Sequence, residues 1–229
     1  TEIQASSDSG GTLEILGVGK VRYTFGTQLP SGYDMSVTHS LGIYAERDLE
    51  DLIDKSYYDN VIHDFRPDGM EVTEMWATLD DDTCNACHEQ LAFHGGSRRD
   101  VKLCVLCHNS GTVDPDTGNT VDMKVMIHKI HMGSQLPSVQ AGMPYQIIGY
   151  RQRVYDYSEV VFTQDVRNCD TCHTPETPGG SVWFSEPSRD SCGSCHDLID
   201  WEVAGEGHPI AQFNDDNCAD CHQPQGDRE

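Results

Sequence analysis

Five times between Cys84 and His222 the chain repeats the pattern C-x-x-C-H: Cys84-Cys87-His88, Cys104-Cys107-His108, Cys169-Cys172-His173, Cys192-Cys195-His196 and Cys218-Cys221-His222. The five pentads use all ten cysteines. Two thiols three apart, followed at once by an imidazole, form the attachment signature of c-type haem. The thiols add to the two vinyl groups, and the imidazole becomes the proximal iron ligand. Zinc sites and thiol redox pairs also use C-x-x-C but place no demand on the next residue. Histidine fills only 11 of 229 positions, so its recurrence after all five pairs has chance odds on the order of one in a million. The pattern predicts five covalently bound c-type haems.

Six histidines remain for the opposite side of the irons: His39, His63, His94, His128, His131 and His208. Bis-histidine ligation of five irons needs five of them. Six-coordinate irons exchange electrons and leave no open position for a substrate. The expected role is therefore an electron carrier without a dedicated substrate site, and no residue is assigned a catalytic role. In VDMKVMIHKIHMG, apolar residues at Met123, Met126, Ile127 and Ile130 predict a helix ended by Gly133. His128 and His131 project from one side of it and can reach two neighbouring irons. His94 precedes a glycine pair that allows close approach to a macrocycle, and His208 lies between the fourth and fifth motifs. For the fifth distal ligand the expectation is His63, which shares a strand face with Val61 and Phe65; the alternative is His39, on the face of Val37, Leu41 and Ile43. The histidine left over is a core residue or serves a haem in a neighbouring subunit.

The elements that must hold these groups are sparse. Apolar residues make up 37% of the chain, mean hydropathy is -0.53, and there are 21 Gly and 10 Pro, too little apolar side chain for a thick interior. Packed porphyrins are expected to supply the missing apolar surface. Residues 1–11 read as a flexible N-terminal segment. Residues 12–79 read as a small antiparallel β-domain, with strands expected in TLEILGV, KVRYTF, SVTHSLGIYA and MEVTEMWATL. Residues 80–229 read as a mostly irregular, short-helix multihaem cytochrome domain. Asp114, Asp116 and Asn119 hint at a calcium loop, but the EF-hand glycine and glutamate are out of register, and a solvated loop is expected.

A formal charge of -23 argues against nucleic acid or an anionic membrane surface as partner. No transmembrane stretch and no signal peptide at Thr1 are recognisable.

The run CNACHEQLAFHGGSRRDVKLCVLCHNSGTVDPDTGNTVDMKVMIHKIHMG, followed by FTQDVRNCDTCH and PSRDSCGSCHD, closely resembles one pentahaem half of the outer-membrane decahaem cytochromes of metal-reducing bacteria, the OmcA/MtrC type. The resemblance covers residues 61 to 222. It implies extracellular electron transfer at the outer-membrane surface, after export through the periplasm, to other multihaem cytochromes, flavins or metal oxides. It matches His88, His108, His173, His196 and His222 to proximal ligands, and His94, His128 and His131 to distal ones. The chain departs from the family in carrying five haem motifs rather than ten and in lacking a lipidated N-terminal cysteine. Those departures suggest a secreted form or a conducting homopolymeric filament; the enzymatic alternative is a terminal reductase with an open haem.

Overall fold

The structure is a computed structural model and describes residues 7–222. Two hairpins come first. β1 (Thr12–Gly17) and β2 (Lys20–Thr24) pair antiparallel around a turn in which Gly19 takes a left-handed conformation, φ +67°. Asp8, within the segment expected to be flexible, ties the open end. Its carboxylate accepts hydrogen bonds from the Tyr23 hydroxyl, the Gly26 and Thr27 amides and the Thr27 hydroxyl.

The second hairpin, β3 (His39–Asp48) and β4 (Ser56–Phe65), runs in register from His39↔Phe65 to Asp48↔Ser56, closed by a single helical turn, α1 (Glu50–Ile53). This hairpin meets the haem-motif region directly. A Cβ on Gly42 would stand 2.6 and 2.7 Å from the Leu103 and Leu106 Cδ1 atoms, so the bare backbone is what admits those side chains. Asn60 on β4 donates to the Ser97 carbonyl at 2.9 Å and accepts from the Arg99 and Asp100 amides at 2.7 and 3.1 Å. Arg98 lies over the Tyr44 ring at 3.7 Å and Arg99 over Tyr58 at 4.2 Å.

The strand expected in MEVTEMWATL does not form. A strand needs a ladder, and the backbone bond to this stretch is a single one, from the Gly179 amide to the Ala77 carbonyl at 2.9 Å.

Beyond it, short helices carry the motifs. α2 (Asp81–His88) is capped by Asp80, which accepts from the Thr83 amide, and α3 (Val101–Cys107) by Asp100, which accepts from the Lys102 amide. α4 (Met123–Met132) starts at the Asp122 cap and ends at Gly133, as its sequence predicts. After α5 (Pro137–Gln140) comes an unexpected hairpin, β5 (Gln146–Gly149) with β6 (Arg153–Asp156), turning through left-handed Arg151 and Gln152. α6 (Val182–Ser185), α7 (Arg189–Gly193), held by a Ser188–Ser191 capping box, and α8 (Cys218–Cys221) complete the chain.

The loop around Asp114 is not solvated at its centre. Asp114 is only 4% exposed and accepts from the Ile148 and Asp116 amides and the Thr117 hydroxyl, fastening the loop to β5. Burial opposes its charge, but the bond from Ile148 and the others prevail, and its carboxyl sits below the ordinary range. Among the described residues the buried apolar side chains are Leu91, Val101, Leu103, Leu136 and Tyr145. That is a small interior for this length. No helix among the described residues is long and apolar enough to cross a membrane.

Candidate functional site

Four of the five motif histidines each face one of the other histidines. Ring centroids are 6.0 Å apart for His88 and His131, 5.8 Å for His94 and His108, 6.1 Å for His128 and His173, and 6.0 Å for His208 and His222. Two imidazoles sharing one metal stand about 6 Å apart, because each metal–nitrogen bond is about 2 Å and the rest is ring radius. Among the described residues there is no group of three or more His, Cys, Asp or Glu that could hold a metal ion by itself. Two protein ligands per metal, with two thiols beside one of them, fit an iron whose other four ligands belong to a porphyrin and do not fit a zinc site.

Local structure sets each pair. In α2, Cys84, Cys87 and His88 fall at i, i+3 and i+4, so thiols and imidazole share one face. α3 repeats the arrangement, with His108 as its C-terminal cap. His94 is itself left-handed, φ 49°, and Gly95 and Gly96 continue at φ 80° and 92°, in a tight turn closed by the Phe93–Arg98 bridge. A Cβ on either glycine would meet nothing within 4 Å. The positive φ of both glycines makes the turn that swings His94 toward His108.

Several rings are oriented by a backbone carbonyl at Nδ1: His108 by Val121 at 2.8 Å, His131 by Ile127 at 2.9 Å and His208 by Ile210 at 2.6 Å. Such a bond places the proton on Nδ1 and leaves the Nε2 lone pair for a metal. Burial, and then the neighbouring His173, lowers His128 to about 4; burial also lowers His94, His131 and His173. These rings are neutral near pH 7, the form that ligates.

The thiols show which motifs are neighbours. Burial pushes Cys84 and Cys104 up to about 11, and Cys84 also feels Cys172 and Cys104. Cys195 feels Cys169, and Cys218 feels Cys192. The first motif therefore neighbours the second and the third, the third neighbours the fourth, and the fourth neighbours the fifth. α4 joins two of these neighbours, since His131 faces the first motif and His128 the third.

His196 is different. Among the described residues no imidazole faces it at this spacing. His39 and His63 share one face of the second hairpin, each 5.8 Å from the ring of Phe65 between them. His39 has the Nδ1–carbonyl bond seen in the paired rings, to Val37 at 3.0 Å.

One group had no signal in the sequence. Asp197, next to His196, pairs with Lys129 on α4 at 2.6 Å and accepts from the Ser138 hydroxyl at 2.6 Å and amide at 3.0 Å. The partners lie 59 and 68 residues away, so spacing could not reveal them.

A family model described as outer membrane cytochrome MtrC/MtrF-like, domains II/IV, matches residues 77–229. The chain belongs to this family. It is a multihaem cytochrome, and covalent haem and electron transfer are the chemistry of its relatives. The solved outer membrane decaheme cytochrome OmcA is 26% identical, with a TM-score of 0.67 over 89% of this chain and 30% of that one. MtrC from Shewanella baltica OS185 is 25% identical, with a TM-score of 0.66 over 93% of this chain and 31% of that one. The small antiparallel sheets and irregular, short-helix remainder are shared with these structures, and the chain spans under a third of their length. No curated protein matches the sequence.

Proposed function

We propose that the chain is a five-haem electron conduit whose irons are each held between two imidazoles. The observation that carries this reading is the set of four imidazole pairs 5.8 to 6.1 Å apart, each with one partner from a C-x-x-C-H motif. The cysteines hold each group covalently, His88, His108, His173, His196 and His222 are proximal ligands, and His131, His94, His128 and His208 are distal. For His196 the second ligand comes from the face shared by His39 and His63. Residues of the chain bring the rings together, backbone carbonyls set the tautomers of His108, His131 and His208, and burial favours the neutral form of His94, His128, His131 and His173. Bound haem supplies a one-electron iron couple, and apolar macrocycle surface supplements the small protein interior.

Residues 12–79 serve as a β-rich unit and residues 80–229 as the haem-bearing unit, joined through Asn60, Arg98 and Arg99. As in outer-membrane relatives, the proposed setting is the cell exterior, and the proposed acceptors are other cytochromes, flavins or metal oxides. Neighbour relations that run second, first, third, fourth, fifth give such a conduit two ends, the second and the fifth motif.

A second reading, a terminal reductase with one open iron, is favoured by one observation: among the described residues no imidazole faces His196 at the spacing of the other four pairs. Two measurements test the pair of readings. Intact mass after denaturation is expected to show five covalent haems; fewer would contradict the conduit as drawn. Carbon monoxide should leave the spectrum of the reduced protein unchanged, whereas stoichiometric binding at one iron, with rapid reoxidation by a small acceptor, favours the reductase.

A further inference from the structure

The first hairpin has an apolar face that is exposed among the described residues. The register Leu13↔Tyr23 and Ile15↔Val21 puts these four side chains on one face, while Thr12, Glu14, Arg22 and Thr24 occupy the other. Glu14 and Arg22 form an ion pair there at 3.1 Å. The sorting is that of a sheet with one buried face, yet every residue of both strands is exposed, Ile15 by 79% and Leu13 by 65%. A two-stranded hairpin alone in water is marginal and needs a cover for its apolar face. Asp8 nevertheless fixes its open end through four hydrogen bonds to the carboxylate, so the face is held ready for contact.

Charge distribution selects the occupant. The chain carries 38 acidic residues and a formal charge of -23, so two copies repel over most of their surface. From Asp8 to Tyr33 two acids, Asp8 and Glu14, are balanced by two bases, Lys20 and Arg22, with the Asp8 carboxylate engaged by Tyr23, Gly26 and Thr27. This near-neutral stretch is where a second copy can approach, and an apolar face is complementary to itself across a twofold axis.

We propose that the Leu13–Ile15–Val21–Tyr23 face is a self-association surface that packs on the same face of a second copy. The contact is smaller than the about 800 Å² per partner of a standard interface, so the dimer is weak and exchanges readily, as transient electron-transfer contacts do. Its formation is opposed by the charge of the rest of the chain and therefore strengthens with salt, since the Debye length falls from about 10 Å at 0.1 M to about 3 Å at 1 M. A twofold contact also closes on itself and stops at the dimer.

Sedimentation equilibrium of the full, haem-loaded chain across ionic strength tests this. The expected result is a monomer–dimer equilibrium whose association constant rises several-fold from 0.05 to about 0.5 M salt. Ile15→Thr with Val21→Thr keeps strand-favouring residues while removing apolar area, and should weaken association at least tenfold. Glu14→Gln with Arg22→Gln, on the opposite face, should leave it within threefold. A monomer at every salt concentration, an association that weakens with salt, growth beyond the dimer, or equal loss in both variants would each overturn the proposal.

Discussion

His128 and His131 stand three residues apart on α4, yet they face different motifs: His128 lies 6.1 Å from His173 and His131 lies 6.0 Å from His88. One helical turn thus faces two neighbouring motifs. Replacing either by Ala is expected to convert one iron to high spin while leaving the number of covalent haems unchanged, because attachment belongs to the cysteines. The double replacement should convert two. Electron paramagnetic resonance of the oxidised variants, with haem counted by mass, reads both quantities.

The Lys129–Asp197 pair links this same helix to the residue after His196. The two side chains are 16% and 4% exposed, and Lys129 also lies 5.0 Å from the Tyr145 ring centroid. Burial opposes ionisation of Asp197, but the bonds from Lys129 and Ser138 outweigh it and its carboxyl lies below the usual range. Asp197→Asn leaves Lys129 buried without its counter-charge, a loss of about 3–5 kcal/mol. The melting midpoint of the haem-loaded protein should fall by about 10 °C. Adding Lys129→Met should recover part of the loss, because no unpaired buried charge remains.

Gly133 ends α4 at φ +47°, and a Cβ there would overlap the Val160 carbonyl oxygen and lie 2.7 Å from Val160 Cβ. Both the backbone conformation and the contact demand glycine. Gly133→Ala should cost about 2–4 kcal/mol, seen as a lower denaturation midpoint. It should also weaken the low-spin signals of the irons served by His128 and His131.

The helix holding those two histidines was legible because its apolar spacing and terminal glycine agree with its caps. His94 and His208, read as spare histidines near motifs, stand 5.8 Å from His108 and 6.0 Å from His222. What remained hidden depended on distant partners. The Met70–Leu79 stretch has the composition of a strand but finds no ladder, whereas Gln146–Gly149 and Arg153–Asp156 pair across a turn of two left-handed non-glycine residues that carries no Asn-Gly or Asp-Gly signal. Asp114 looks like loop chemistry in sequence and becomes a buried latch only because β5 offers the Ile148 amide. The neighbour relations of the motifs were hidden for the same reason, since the first and third are separated by a long stretch of chain.

Asp8 supplies a pH test. Hydrogen bonds from the Gly26 amide, Tyr23 and Thr27 lower its pKa to about 2. A depressed folded-state pKa contributes stability that is present above the unfolded value, near 4, and is lost as pH falls through about 2. The amide proton resonances of Gly26 and Thr27 are expected to shift between about pH 4 and pH 2, reporting release of the hairpin base. In Asp8→Asn that transition should vanish.

The central claim is that the motif irons lie between paired imidazoles. Near-infrared magnetic circular dichroism of the oxidised, haem-loaded protein measures the ligand set directly. The expected spectrum is bis-histidine low-spin iron at all five centres, with Ala at His39 or His63 exposing the ligand opposite His196 through one new high-spin centre. High-spin iron at any of the four centres built on His88, His108, His173 or His222 in the unaltered protein, or charge-transfer bands of histidine–methionine ligation there, would contradict the account.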